Sequence, residues 1–170
     1  DALKTFSTGS FGTGFIQGDA AKPDKFELEV PYAGKVLRGN DLQNQLDKWV
    51  RNGVCELSCG AAISQVARAT PWLDLSDRYF VLLGAGAAMG PLEVLLSLGA
   101  NVIAVDLDRP QVWERIIGLV RKSCGTLTFP LKPGADASAL DDKELFSASG
   151  CNLFTKTPEI RNWLLDVHAD

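Results

Sequence analysis

Between positions 79 and 131 the chain alternates short apolar runs with stretches in which apolar residues recur at helical spacing. The runs occupy residues 79–83, 101–106 and 126–131. The first is continuously apolar, which is typical of a strand that is covered on both faces. We therefore predict three strands in this region, with Pro130 weakening the third.

The stretches between these runs predict two helices. The first has leucines at positions 92, 95, 96 and 98, carries Pro91 in its first turn and ends at Gly99. The second begins with Asp108 as its cap, followed by Pro110 in the first turn and by Gln111 in a capping box. Strands and helices that alternate through short connections predict a parallel sheet with right-handed crossovers.

The rest of the chain is organised differently. Residues 1–36 are rich in Gly, Ser, Thr and Pro, with phenylalanines at positions 6, 11 and 15. This segment is either an extended arm, whose aromatic side chains lie on this domain or on another chain, or a terminus without fixed structure. Within it, residues 26–30 alternate as a short strand does. Helical spacing follows in residues 37–76, and Thr157 caps a final predicted helix.

Composition narrows the class of protein. The 170 residues are 46% hydrophobic and 22% charged, as in a globular protein of one domain. The net charge is -4, and no concentrated basic face is visible in the sequence. We therefore expect no nucleic-acid partner, because phosphate binding requires such a face. No apolar run approaches the length of about 20 residues that a membrane-spanning helix requires. The chain starts at Asp1 without a signal-peptide pattern, and we expect a processed or partial product.

Four cysteines, at positions 55, 59, 124 and 151, are too few for a disulfide scaffold. We predict reduced thiols in a soluble protein of a reducing compartment, either the cytoplasm or an organelle matrix or stroma. Cys55 and Cys59 can share one helix face. Without a second pair or nearby histidines they form a poor zinc site, so burial as small apolar residues is the favoured interpretation.

The connection after the first strand carries the strongest candidate for chemistry. The sequence GAGAAMG places Gly84 and Gly86 in a sharp bend, with Gly90 one residue later than in the tightest dinucleotide-binding loops. Asp106 ends the next strand, twenty residues after Gly86, where a carboxylate can accept hydrogen bonds from a ribose. Such a turn presents backbone amides and space to an anionic ligand.

Residues 78–131 resemble the NAD(P)-binding Rossmann superfamily, and the longer loop is similar to that of short-chain dehydrogenases/reductases. The resemblance implies that Gly84, Gly86 and Gly90 shape a phosphate loop and that the residues from Ala85 through Ala88 to Met89 line the start of a helix. It also implies that Asp106 holds the ribose and favours NAD, while Arg109 leaves NADP open.

The fold class that follows is α/β, with a Rossmann-like three-layer parallel sheet truncated after about three strands. The chain is thereby divided into three segments: an arm at 1–36, a helical lead-in at 37–76, and a nucleotide-binding domain at 77–170. This domain is either whole or one part of a larger domain. The sheet is left with an exposed edge. A protein partner is expected through residues 1–36 and through this edge.

Catalytic residues are less evident. Short-chain reductases use a Tyr-x-x-x-Lys pair, whereas Tyr32 and Lys35 stand only three apart, and His168 lies two residues from the end. We therefore predict no catalytic residue and no metal site, and whether the chain is an enzyme stays open. Two alternatives to a dinucleotide-binding domain remain: a non-catalytic linker subunit of a larger assembly that docks through its arm, and a site for an S-adenosylmethionine-type nucleotide.

Overall fold

The computed structural model describes residues 11–169, and the described residues form two compact units. One comprises the described residues up to 22 and from 76 onward, and the other comprises residues 23–75. The fold is mixed α/β. The strands are β1 (Gly12–Gln17), β2 (Val30–Tyr32), β3 (Lys35–Leu37), β4 (Tyr79–Leu83), β5 (Asn101–Val105) and β6 (Thr126–Leu131). The helices are α1 (Gly39–Arg51), α2 (Leu57–Arg68), α3 (Leu92–Ser97), α4 (Pro110–Arg121), α5 (Asp142–Ala148) and α6 (Thr157–Ala169).

The first unit is built on a four-stranded, mostly parallel sheet with the strand order β1-β6-β5-β4. The three predicted strands β4, β5 and β6 are present and pair in parallel. The fourth strand, β1, comes from the glycine-rich arm and pairs antiparallel with β6. Gly14 allows this pairing, because a Cβ at that position would lie 2.5 Å from the ring of Phe129. The part of the arm before residue 11, including the phenylalanine at position 6, lies outside the described residues.

Helices cover both faces of this sheet. On one face Phe129 of β6 packs against Trp113 of α4, with ring centroids 5.2 Å apart. Side chains alternate along β5, so that Ile103 and Val105 point to the opposite face. There they pack with Cys151 and with the buried side chains of α6. The carboxyl end of β5 is therefore supported from both faces of the sheet.

The prediction that β4 is covered on both faces was wrong. Its pairing with β5 places Tyr79, Val81 and Leu83 on the α6 face, yet their exposed fractions are 74%, 51% and 61%. These side chains are exposed because β4 is the last strand of the sheet. The buried cluster that packs on α6 includes residues of β5 but none of β4. An apolar strand thus lies at the edge of the sheet with one face open.

The predicted cap of α4 was also wrong. Arg109 occupies the N-cap position, and no side chain caps the helix. Pro110 is in the first turn as predicted, where its fixed φ suits the start of a helix. The capping box is found instead in α5, where Asp141 and Glu144 each accept a hydrogen bond from the other's backbone N–H.

The second unit is a pair of helices with a short hairpin. The predicted strand at residues 26–30 was placed too early, because β2 begins only at Val30 and pairs with β3. Residues Ala33 and Gly34, both with positive φ, form the turn between them. Helices α1 and α2 pack together and line a groove of about 450 Å³. None of the helices in residues 11–169 has the length and apolar character needed to cross a membrane.

Candidate functional site

The connection from β4 to α3 folds over the carboxyl end of β5. Gly84 has a φ of 85°, a conformation that favours glycine, and its N–H donates to the Val105 carbonyl at 2.8 Å. The amide of Ala85 donates to the same carbonyl. Two further turns follow. The Ala87 N–H donates to the Gly84 carbonyl in the first, and the Gly90 N–H donates to the Ala87 carbonyl in the second. Helix α3 starts only at Leu92 and has six residues, so most of the segment is loop rather than helix start.

Asp106 is joined to this loop by its carboxylate. The N–H of Gly86 donates to Oδ2 at 2.6 Å, and the N–H of Leu107 donates to Oδ1 at 2.7 Å. The side chain is only 9% exposed. A Cβ on Gly86 would lie 3.0 Å from the same Oδ2 atom. A side chain at this position would also meet Val112 at 3.0 Å, so the packing around Gly86 favours glycine.

Arg115, which the sequence did not single out, contacts the loop from α4. Its guanidinium donates a hydrogen bond to the carbonyl oxygen of Gly86. The two peptide groups that flank the Gly86 Cα are thus both held, one by a carboxylate at the Gly86 N–H and the other by a cation at the Gly86 carbonyl. The signal that could have identified Arg115 is its position on α4, one turn after Gln111, in the helix that starts directly beyond Asp106.

Two amides in the loop remain available. Ala88 and Met89 have no hydrogen-bond partner for their N–H groups among residues 11–169. Both residues are exposed, and Met89 fully so. Free amides at an exposed glycine-rich turn are suited to an anion such as a phosphate group. Gly90 follows, where a Cβ would approach the Ala87 carbonyl to 3.1 Å.

A segment that the sequence did not assign to this site closes the other side of Asp106. Cys151 donates its backbone N–H to the Asp106 carbonyl at 2.8 Å. The preceding Gly150 has a φ of 92° and packs against the Asp106 and Leu107 carbonyls. Burial, together with the charges of Asp108 and Asp106, raises the pKa of the Cys151 thiol to about 12. This thiol is therefore protonated at neutral pH and cannot act as a nucleophile.

The other sequence candidates lie apart from this cluster. Arg109 is exposed, and its backbone is the N-cap of α4, where its carbonyl accepts from the Val112 and Trp113 amides. Tyr32 and Lys35 are cross-strand partners in the β2–β3 hairpin, and Tyr79 lies on the open face of β4. His168 is in the last turn of α6. Within residues 11–169, His, Cys, Asp and Glu side chains form no cluster of three that could hold a metal ion.

The structure therefore brings together Gly84, Ala85, Gly86 and Asp106 and adds Arg115 and Gly150 to them. It defines a class of site, a glycine turn clamped by a carboxylate at the carboxyl ends of two parallel strands. Comparison with protein-family models, with curated proteins and with solved structures finds no match to this chain.

Proposed function

We propose that residues 77–170 form a dinucleotide-binding domain that takes NAD in preference to NADP, in a Rossmann-like arrangement. The observation that carries this proposal is the 2.6 Å hydrogen bond from the Gly86 amide to Asp106, between the ends of adjacent parallel strands. Ligands of open α/β sheets bind outside the carboxyl ends of the strands. A carboxylate and exposed amides at that place match the two polar parts of a dinucleotide.

The residues present fit such a group. A carboxylate offers about four lone-pair positions, and Asp106 uses only two of them for Gly86 and Leu107. The remaining two can accept the hydroxyl groups of a ribose. The free amides of Ala88 and Met89 would face the pyrophosphate. The negative charge of Asp106 would repel a 2'-phosphate, which is the reason for preferring NAD.

The domain is proposed as a binding module of an oxidoreductase-like protein that does not itself carry out catalysis. When bound, a nicotinamide cofactor supplies hydride transfer, and the described residues around Asp106 offer no proton donor for it. The Cys151 thiol, with a pKa raised to about 12, is buried.

Direct titration tests the proposal. The protein should bind NADH, detected by cofactor fluorescence, more tightly than NADPH, and S-adenosylmethionine more weakly than either by competition. A preference for S-adenosylmethionine would select the methyl-donor alternative instead. No NADH binding at millimolar cofactor would contradict the assignment.

A matched pair of variants at Met89 tests the loop without disturbing the clamp. Met89→Glu should weaken NADH binding about fivefold relative to Met89→Gln, because two like charges about 4 Å apart repel by roughly 1 kcal/mol in water. Both variants should unfold at the wild-type temperature, since the side chain is fully exposed. Equal NADH affinities of the two variants would show that no phosphate lies at this part of the loop.

A second candidate function, a non-catalytic subunit of a larger assembly, is favoured by β4. This strand pairs with β5 alone, and its outer edge has no strand partner in residues 11–169. Its open side chains are all apolar, and unprotected apolar edges invite another strand. Residues 12–17 of the arm already pair with β6 of the same chain. The edge of β4 is therefore a better docking surface for a partner than the arm is.

The β4 edge should pair with a second copy when the chain is purified alone. In an antiparallel pairing centred on Val81, Tyr79 would lie opposite Leu83 of the other copy, and no like charges would meet within the strand. We expect sedimentation velocity to detect concentration-dependent dimers that Val81→Lys abolishes. Phe15→Lys, on the other edge of the sheet, is the control and should leave the dimers intact. A wild-type monomer at every concentration would contradict this pairing.

A further inference from the structure

The groove between α1 and α2 lies beside a close contact of the two helices. A Cβ on Gly60 would lie 2.6 Å from Val50 Cγ2, so the helices approach closely at this point. The buried side of α2 accordingly consists of Gly60 and Ser64. Cys55 and Cys59 were predicted to be buried as small apolar residues, but they are not part of this side. That prediction was wrong, because Cys59 is exposed and Cys55 is half-buried.

A second cavity adjoins this groove along the same face of α2. Its volume is about 470 Å³, and it shares Ala61 and Ser64 with the groove. The α2 residues that line the two cavities follow i, i+3, i+4, i+7 spacing, first from Leu57 to Ser64 and then from Ala61 to Arg68. This face of the helix is about 17 Å long at 1.5 Å per residue. We call the continuous surface that lines both cavities the α2 surface.

The α2 surface leaves large apolar side chains open to solvent. Leu57, which lines the first cavity, is 75% exposed. Trp72, in the turn that follows α2, lines the second cavity and is 58% exposed. Leu46 and Val50 of α1 line the first cavity opposite α2. Apolar side chains that are contiguous in this way mark an interaction site, because covering them removes apolar area from water.

Two arginines set the charge of the α2 surface. Arg51 lines the first cavity and Arg68 lines the second. The one carboxylate in the lining, Asp47, accepts a hydrogen bond from Gln43 Nε2 at 3.1 Å. Within residues 11–169 neither arginine forms an ion pair. Arg51 donates to the Asp47 backbone carbonyl and Arg68 donates to the Gln43 side-chain oxygen, both at 3.3 Å.

These arginines can bind carboxylates of a partner. A guanidinium has five N–H donors, and its planar fork fits a carboxylate through two parallel hydrogen bonds. Since Arg51 and Arg68 each donate one hydrogen bond to the described residues, most of their donors remain for a partner. The α2 surface is thus locally positive on a chain whose net charge is -4. Acidic groups complement it, and basic groups do not.

We propose that the α2 surface is the docking site for an acidic amphipathic helix of a partner protein. Apolar side chains at i and i+4 of such a helix lie about 6 Å apart along its axis, so they can enter the two adjoining cavities. Acidic side chains beside them would pair with Arg51 and Arg68. Every residue that lines the cavities belongs to the unit of residues 23–75. The proposal therefore does not depend on NAD binding by residues 77–170.

The experiment titrates the full chain into a fluorescein-labelled synthetic peptide of about 20 residues, which is long enough to form a helix. The peptide has leucine at every third or fourth position and glutamate beside each leucine. A second peptide has lysine in place of every glutamate. Fluorescence anisotropy should show tighter binding of the glutamate peptide. Equal binding of the two peptides, or no binding of the glutamate peptide at millimolar protein, would overturn the proposal.

Arg51→Glu and Lys48→Glu are a matched pair that tests the charge. Both residues lie in the last turn of α1, and each variant reverses one positive charge. Arg51 lines the first cavity, whereas Lys48 lines neither cavity. Arg51→Glu should weaken binding of the glutamate peptide about fivefold relative to Lys48→Glu, because a surface ion pair becomes a repulsion of similar size. Equal affinities of the two variants would contradict docking on the α2 surface.

Ala61→Gln and Ala62→Gln test the shape of the same surface. Both alanines are exposed on α2, but only Ala61 lines the two cavities. Ala61→Gln should weaken binding of the glutamate peptide about tenfold, which corresponds to the lost burial of about two methylene groups. Ala62→Gln should bind as wild type, and unchanged binding by Ala61→Gln would overturn the proposal. Dimers of the chain that only Ala61→Gln dissociates would assign the surface to a second copy instead of an acidic helix.

Discussion

Replacing Gly86 by valine should abolish NADH binding and lower the free energy of unfolding by about 2 to 4 kcal/mol. The added Cβ would lie 3.0 Å from both Asp106 Oδ2 and Val112 Cγ1, and 3.3 Å from the Arg115 guanidinium. Inserting carbon atoms into a filled space costs typically 1 to 3 kcal/mol. The Gly86 N–H would also be displaced from a charged acceptor, a hydrogen bond worth about 1.5 to 3 kcal/mol. Urea unfolding and NADH fluorescence measure the two effects separately.

A double-mutant cycle with Asp106→Ala shows whether these effects have one cause. Asp106→Ala removes the acceptor without adding atoms, so it should also weaken NADH binding and destabilise the loop. Because the two residues are directly hydrogen-bonded, the double variant should be less destabilised than the sum of the single variants, by about 1 kcal/mol. Additive losses would mean that Gly86 is required for a reason other than Asp106. Undiminished NADH binding by Gly86→Val would remove the loop from the proposed site.

The three central strands were predictable because local sequence determines them. Residues 79–83 and 126–131 are strands with the predicted limits, and Gly99, with its positive φ, ends the helix segment before β5. Pro130 does not shorten β6, because the parallel pairing with β5 ends at Thr128 while the antiparallel pairing with β1 continues through Pro130, opposite Thr13, to Leu131. The low strand propensity of proline was therefore outweighed by the register in which β6 pairs with its neighbours, and this register cannot be read from the sequence.

The partners of these strands were not predictable in the same way. A glycine-rich arm has no apolar periodicity, and β1 can pair with β6 because Gly14 leaves room for the ring of Phe129. The open face of β4 was missed for the opposite reason. A continuous apolar run indicates that side chains seek cover, but it does not say whether the described chain provides that cover.

The candidate site was found in part. Gly84, Gly86 and Asp106 are adjacent in space, because a turn after one parallel strand meets the end of the next. Gly90 lies in the loop that precedes α3, which begins only at Leu92. Arg115 and Gly150 were missed, since neither belongs to a local motif. Their contacts with residues 29 and 44 positions earlier arise only from the packing of α4 and of the segment before α6.

Gly150 should prove the least replaceable residue of this cluster, and Gly150→Ala should cost about 4 kcal/mol. Its φ of 92° strains any L side chain, which costs roughly 1 to 2 kcal/mol. A Cβ would also lie 2.2 Å from Trp113 Nε1 and within 3 Å of the Leu107 and Asp106 carbonyls. The Trp113 indole, which donates to Leu107 at 2.9 Å, would have to move within a filled core. Since whole domains are stable by only about 5 to 15 kcal/mol, this loss approaches unfolding.

Gly134→Ala is the matched control for Gly150→Ala. Gly134 has a φ of 80°, and a Cβ there would meet nothing within 4 Å, so the variant carries the backbone strain without the collision. It should lose only about 1 to 2 kcal/mol in the same urea unfolding experiment. The difference between the two variants isolates the packing of Gly150 on Trp113 and on the Asp106 carbonyl. If both alanine variants were equally stable, the packing of Gly150 on Trp113 and on the Asp106 carbonyl would have no energetic weight.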